Sequence, residues 1–317
     1  MDPLTWVDRA LAERGARRTG DLVAHQAMPW SSTWRAPTTA GPCWLKQNSI
    51  GTRFEPALLQ LLPANGARGV PDVLAIDAAR GWSLMADAGA PMRGLPGGED
   101  AAGWKAALRL YAAVQRHLES VVPGLLTAGV PDHRPGAVPA QAETLLSDAP
   151  AMRRGLPGGL TPGAERAVRA ALPDLADWCA DLADSPVPVT VQHDDLHANN
   201  VLINERGEMT VIDWGDAQVA HPFGTLLTTM RSIAHHTGLN GPNDPRLDPL
   251  RDAYLEAWSD VADLPRLRRD AMLAVRIAPV ARAHSWSRAL LGADAAQLAE
   301  YGEAVPGWLT ELAAARP

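Results

Sequence analysis

Three oxygen-bearing side chains stand where they could do chemistry together: Asp195, Asn200 five positions on, and Asp213. Phosphoryl transfer needs such a set. An attacking hydroxyl needs a carboxylate within hydrogen-bond reach, to orient it and accept its proton. Nucleotide phosphates need divalent metal, and magnesium takes few protein ligands, all oxygen, so one Asn and one Asp are enough. The surrounding stretch, VQHDDLHANNVLINERGEMTVIDWGD from Val191 to Asp216, reads as strand, polar loop, strand, turn, strand. Val187–Gln192 is β-branched and apolar, and His193–Asn200 is the polar loop. Val201–Asn204 and Met209–Ile212 form a hairpin around Glu205-Arg206-Gly207-Glu208, with Gly where a positive φ is expected. A loop carrying Asp195 and Asn200 on opposite arms, followed by a hairpin returning Asp213 to the same edge, would gather all three groups. A plain solvated loop is the bland alternative, and it leaves the spacing unexplained.

The stretch follows the kinase signature H-R-D-L-x-x-x-N and D-F-G, with Asp194 for Arg and Trp214 for Phe. It resembles the aminoglycoside phosphotransferases and the choline-kinase-like small-molecule kinases. Their loop usually reads H-G-D-L-H-x-x-N followed by I-D-W/F, and His193, Asp195, Leu196, His197, Asn200, Ile212, Asp213 and Trp214 fit. The resemblance implies an α+β, bilobal, protein-kinase-like fold. A small antiparallel five-stranded N-lobe and a larger, mostly helical C-lobe would flank the active site in a cleft. It implies that Asp195 is the catalytic base, that Asn200 and Asp213 hold magnesium, and that His193 and His197 brace the loop. Many relatives place an Asp near the start of the next helix, where Gly224 or Thr225 stands here. That departure touches a supporting hydrogen bond, not the chemistry.

The elements that position these groups begin with an N-lobe over residues 1–86 and a hinge at about 85–92. Leu4–Arg14 reads as a leading helix and Leu22–Gln26 as a strand. Two strands joined by a turn at Thr38–Pro42 follow, preceded by a loop near Ser31. In kinases that loop covers the phosphates and is Gly-rich; this one has no Gly, and Ser31 and Ser32 could donate instead, or the loop is a plain turn. Lys46 ends the apolar run Cys43-Trp44-Leu45 and is one of two lysines in a chain whose other 27 basic residues are arginine. A compact ammonium suits the α- and β-phosphate oxygens. Its expected partner is Glu55, which opens the helix Phe54–Leu62; the helix dipole is the competing use of that carboxylate. Val70–Asp77 and Gly81–Asp87 complete the sheet. By position in the hinge, the backbone at Ala86 and Ala88 would meet an adenine ring.

The C-lobe, residues 87–317, is expected to be helical over Ala101–Val121, Ala140–Leu146 and Thr161–Leu182, where Pro173 could kink or split the helix. Further helices run over Pro222–His236, Pro249–Asp260, Pro265–Leu290 and Ala295–Ala315, the last with Asp294 as N-cap. These form the wall where relatives hold the acceptor. Asp216, Glu256, Trp258, Asp260, His284 and Trp286 are the acceptor-site candidates, against the alternative that the tryptophans are core and the acids surface. No Ala-Pro-Glu motif follows, which argues against a protein kinase.

Composition sets the outer bounds. The chain has 317 residues, 46% hydrophobic and 21% charged, and no apolar run of membrane-spanning length. Two cysteines without metal-ligand spacing fit a reducing cytoplasm. Residues 1–92 carry a net charge of +1 and the remainder −8, giving −7 overall. An acidic larger lobe lacks the basic footprint of a nucleic-acid binder and would suit a cationic acceptor, though the charge could serve solubility alone. The expectation is therefore an ATP- or GTP-dependent, magnesium-requiring phosphotransferase, a monomer or homodimer. It would act on a small-molecule alcohol, an aminoglycoside or another cationic antibiotic, with a choline, homoserine or sugar kinase as the alternative. The reading from a different class is a nucleotide-binding scaffold without catalysis.

Overall fold

The computed structural model describes residues 2–314. Helix α1 (Pro3–Ala12) is capped by Asp2, whose side chain accepts from the Thr5 amide. Strands β1 (Val23–Ala27), β2 (Ser31–Ala36), β3 (Cys43–Asn48), β4 (Val73–Asp77) and β5 (Trp82–Ala86) form one sheet in the order β1-β2-β3-β5-β4, every neighbouring pair antiparallel. Between β3 and β4 lies α2 (Glu55–Ala64), with Pro56 in its first turn, where the missing amide hydrogen costs nothing.

Period-two alternation on β3 divides its side chains. Cys43 and Leu45 are buried with Trp6, Val7, Ala10 and Leu11 of α1 in a small core behind the sheet. Trp44, Lys46 and Asn48 alternate with them and line the cleft. Leu58, Leu59 and Leu62 of α2 belong instead to the large core, together with Trp104, Tyr111 and Trp214.

Beyond the sheet come β6 (Ala90–Pro91), α3 (Ala101–His117), α4 (Val122–Thr127), α5 (Val138–Ser147), α6 (Ala149–Met152) and α7 (Pro162–Ala183). Thr161 caps α7, accepting from the Ala164 amide, and Pro173 is accommodated without splitting it. Strands β7 (Thr190–Gln192), β8 (Val201–Ile203), β9 (Met209–Val211) and β10 (Gln218–Ala220) frame the polar stretch. β6, β8 and β9 form one small sheet, and β7 pairs with β10 in another. The β8–β9 turn has Gly207 at φ +77°, and Asn204 Oδ1 accepts from the Arg206 and Glu208 amides. Helices α8 (Leu226–Thr237), α9 (Asp248–Leu255), α10 (Leu264–Ala289), α11 (Ala295–Tyr301) and α12 (Ala304–Ala314) finish the described chain.

The structure shortens two expected helices, α3 ending at His117 and α9 at Leu255, divides the closing one and decides the turn near Ser31. The closing helix is two helices, broken after Tyr301 at Gly302, where a Cβ would meet Arg153 Nη1 at 2.6 Å. The loop near Ser31 is a three-residue turn, Met28-Pro29-Trp30, closed by the Met28 amide donating to Ser31 O at 2.9 Å. No helix among the described residues is long and apolar enough to cross a membrane.

Candidate active site

The sheet and the helical part face each other across a cleft of about 880 Å³, and Lys46, Asp195, Asn200 and Asp213 all line it. The loop between β7 and β8 is held from three sides. His193 donates its amide to Tyr111 Oη at 2.8 Å. Its Nε2 lies 2.8 Å from Ile212 O, and its Nδ1 faces the Asp195 amide at 3.3 Å. A carbonyl on one nitrogen and an amide N–H on the other select the neutral Nε2–H tautomer, and burial pushes the imidazole pKa down, consistent with that form. His193 thus ties the arm bearing Asp195 to the strand that delivers Asp213. From below, Thr228 and Thr229 of α8 donate their hydroxyls to Asp194 O and Leu196 O at 3.0 and 2.9 Å.

Asn200 donates Nδ2 to Asp195 O at 2.9 Å, which leaves its Oδ1 as an acceptor at the cleft. Asp213 has φ +63° and opens a 3₁₀ turn over Trp214–Asp216. Lys46 Nζ lies 2.5 Å from Asp213 Oδ1 and 2.6 Å from Glu55 Oε2. Glu55 Oε1 also accepts from the Trp214 amide at 2.9 Å, so it fastens both the lysine and the turn that carries Asp213. Burial alone would drive the proton off Lys46, but Asp213 and Glu55 outweigh it and raise its pKa. Burial likewise opposes charge on Asp213, and Lys46 reverses the effect, holding the carboxyl below the usual range.

Asp195 divides its two oxygens. Oδ1 accepts from Arg282 Nη2 at 3.2 Å, and Oδ2 stands 3.5 Å from His197 Nε2. Burial would raise this carboxyl, yet Arg282 and His197 hold it below the usual carboxylate range. His197 therefore addresses the Asp195 carboxylate, and despite burial that contact raises the imidazole pKa.

The remaining candidates separate. Ser31, Ala86, Ala88, Asp216 and Trp286 line the cleft. Ser32 does not: it is within β2, paired with Ala27 and Gln47. Trp258 is fully buried in the large core and donates Nε1 to Glu119 Oε1 at 3.0 Å. Glu256 is exposed and pairs with Arg109 at 3.1 Å, and Asp260 pairs with Arg116 at 2.6 Å. His284 turns to Gln141 O at 3.1 Å and packs against His133. Of the acceptor candidates read from sequence, only Asp216 and Trp286 line the cleft; Trp258 is in the core, and Glu256, Asp260 and His284 pair elsewhere. Among the lining residues that the sequence does not mark as site candidates are Trp30 and Arg282. Trp30, at the turn before β2, meets Trp286 and Tyr301 edge-on, each at 5.5 Å between ring centroids.

The donor set suits a hard cation. Asn200 Oδ1 and the Asp213 carboxylate are oxygen ligands of the type magnesium takes. No group of three or more His, Cys, Asp or Glu side chains that could hold a metal occurs among the described residues, so a magnesium ion on Asn200 and Asp213 would complete its shell with phosphate oxygens and water.

The model of the phosphotransferase enzyme family matches residues 28–269. The chain belongs to that family. No curated protein matches the phosphotransferase sequence. Solved structures similar to it include a macrolide 2'-phosphotransferase from Brachybacterium faecium, at 17% identity over 95% of this chain and 97% of that one, with TM-score 0.58. An ethanolamine kinase from Plasmodium vivax is 11% identical over 93% and 82% of the two chains, with TM-score 0.64. An aminoglycoside phosphotransferase from Streptomyces rimosus, solved with ADP and streptomycin, is 17% identical over 88% and 99%, with TM-score 0.51. At these identities the likeness shows the protein-kinase-like fold. With the family match, it makes the chain a phosphotransferase of the small-molecule kinase type.

Proposed function

We propose that the protein transfers the γ-phosphoryl group of ATP to a hydroxyl of a small acceptor. The observation that carries this reading is the convergence of Lys46, Asp195, Asn200 and Asp213 on one cleft. Asp195 orients the acceptor hydroxyl and takes its proton on Oδ2, the oxygen that Arg282 leaves free. Lys46, kept charged by its two carboxylates, meets the phosphate oxygens. Asn200 and Asp213 hold magnesium, which supplies charge neutralisation on the phosphates. The adenine lies by the backbone of Ala86 and Ala88, at the end of β5. Domain division follows the same logic, residues 1–86 serving the nucleotide and 87–317 the acceptor. Most of the rate comes from positioning and electrostatics.

The acceptor we propose is a cationic natural product, an antibiotic of the aminoglycoside kind, in preference to choline, ethanolamine or a sugar. The acidic balance of the larger part of the chain supports a cationic acceptor over a sugar, and antibiotic phosphotransferases stand among its structural neighbours beside an ethanolamine kinase. Coupled measurement of ADP release tests the reading, with magnesium-ATP and a panel of aminoglycosides, macrolides, choline, ethanolamine and sugars. Acceptor-dependent turnover that Asp195→Asn abolishes is expected. Nucleotide binding without turnover on any acceptor would sink it, and turnover on choline alone would replace the antibiotic with a metabolite.

A further inference from the structure

Asp194 is the unusual residue of the loop. Its φ is +66°, in the left-handed region that most side chains avoid. It is 1% exposed. Oδ1 accepts from Gln192 Nε2 at 2.9 Å, while Oδ2 has no hydrogen-bond donor among the described residues. The nearest opposite charge is Arg282 Nη1 at 3.6 Å. Burial pushes this carboxyl up to about 7. A buried acid on strained backbone is costly, and such costs persist where the surrounding structure uses them.

Arg282 reaches in from α10 and is 5% exposed. Nη2 donates to Asp195 Oδ1 at 3.2 Å, and Nη1 donates to Asp216 Oδ2 at 3.1 Å. Asp216 Oδ1 in turn accepts from Ser285 Oγ at 2.7 Å, so both of its oxygens are committed to α10. The Trp308 ring, 5.7 Å from the guanidinium carbon, covers another side. One planar fork therefore joins the catalytic loop to the turn after Asp213, and a fork fixes a carboxylate's orientation as a flexible ammonium does not. The start of α8 brings no carboxylate to this place. Gly224 sits there, and a Cβ on it would meet Gln192 Oε1 at 2.5 Å, so its absence admits the amide that holds Asp194.

We propose that Arg282 is a positioning residue for the base: it fixes Asp195 through Oδ1 so that Oδ2 faces the acceptor, and Asp194, braced by Gln192, sets Arg282. This rests on Asp195 being the base. The competing account gives Arg282 only the task of neutralising Asp194, and the two accounts diverge in a double variant.

The test compares Arg282→Met, Asp194→Gly and the double variant in the full chain. Three quantities are read: melting temperature, magnesium-ATP affinity by calorimetry, and ATP hydrolysis with water as acceptor. Arg282→Met should melt lower, because Asp195 and Asp216 lose their hydrogen-bonded partner and Asp194 its nearest cation. Asp194→Gly in that background should recover only part of the melting temperature, since glycine accepts φ +66° and removes one of the three acids. Hydrolysis should stay about 10²-fold down in both, the size of a misplaced catalytic group, with ATP affinity within about twofold of the parent. Crystals of the double variant should show the Asp195 carboxylate turned. Recovery of hydrolysis in the double variant, or an Asp195 carboxylate unmoved there, overturns the proposal. Undiminished hydrolysis in Asp195→Asn would instead remove the assignment of the base, a distinguishable failure.

Discussion

Lys46 Nζ and Asp213 Oδ1 lie 2.5 Å apart, so the cation and the carboxylate that line the cleft rest on each other. Lys46→Met leaves the buried Glu55 carboxylate and Asp213 beside it without a cation. The expected result is a fall in kcat/KM for ATP of about 10²–10³-fold, the size seen when one preorganised charge-stabilising donor is removed. Steady-state kinetics with varied ATP measures it. Lys46→Arg should not rescue, because a planar fork cannot occupy the point between Glu55 and Asp213.

Asp195→Asn keeps the shape of the side chain and removes its basicity. Turnover should drop by about 10²–10⁴-fold, the usual worth of a positioned general base. Magnesium-ATP affinity, read by calorimetry, should stay near the parent value. A comparable loss of affinity would place Asp195 in nucleotide binding instead.

Asp194 gives the fold a pH signature. Its folded pKa, pushed by burial to about 7, lies above the unfolded value near 3.8. Between those limits the folded chain holds a proton that the unfolded chain has lost, so stability falls as pH rises through the window. Asp194→Asn should remove this slope. The difference in melting temperature, Asn variant minus parent, should grow from about pH 4 to about pH 7 and be level above it. A difference that stays constant with pH would show that Asp194 keeps an ordinary carboxyl.

Trp30 and Trp286 line the cleft together, and Trp30 also meets Tyr301 edge-on. Trp30→Ala should raise KM for the acceptor more than for ATP. It should also cost at least the ~0.5–1.5 kcal/mol that each aromatic pair contributes beyond its buried area. Trp286→Ala should act on the same quantity, and the double variant should be less than additive, since the two share one contact.

Trp258 was legible only as an aromatic near acids, and it belongs to the core. Trp258→Ala should cost about 3–5 kcal/mol in a denaturant titration and leave both KM values alone. Glu256→Ala, on the surface, should change neither stability nor rate measurably.

The contrast between residues read and unread has a physical reason. Asp195, Asn200 and Asp213 lie within one stretch, and the short strands between them leave little freedom in where they meet. Lys46 could be picked out because lysine is rare in this chain. Arg282 offered no such mark. It is one of 27 arginines, it lies 87 positions beyond Asp195, and its helix is apolar on several faces. Only packing of α10 against the loop reveals its direction. The break at Gly302 is equally hidden, because the side chain packed there, Arg153 donating to Leu298 O, comes from far along the chain. Near Ser31 the sequence leaves a phosphate-covering loop and a plain turn open, and the hydrogen bond across Met28-Pro29-Trp30 selects the turn.

Helix α2 packs its leucines into the large core while β3 packs Leu45 against α1. Glu55 is therefore anchored to the heavier body, and Lys46 rides on the sheet opposite. Any tilting of the sheet must stretch or shorten the gap between those two side chains. Nitroxide or fluorine labels on β2 and α2 would read that gap as a gauge of closure, and cutting the chain at the hinge would strand a helix whose apolar face has lost its bed.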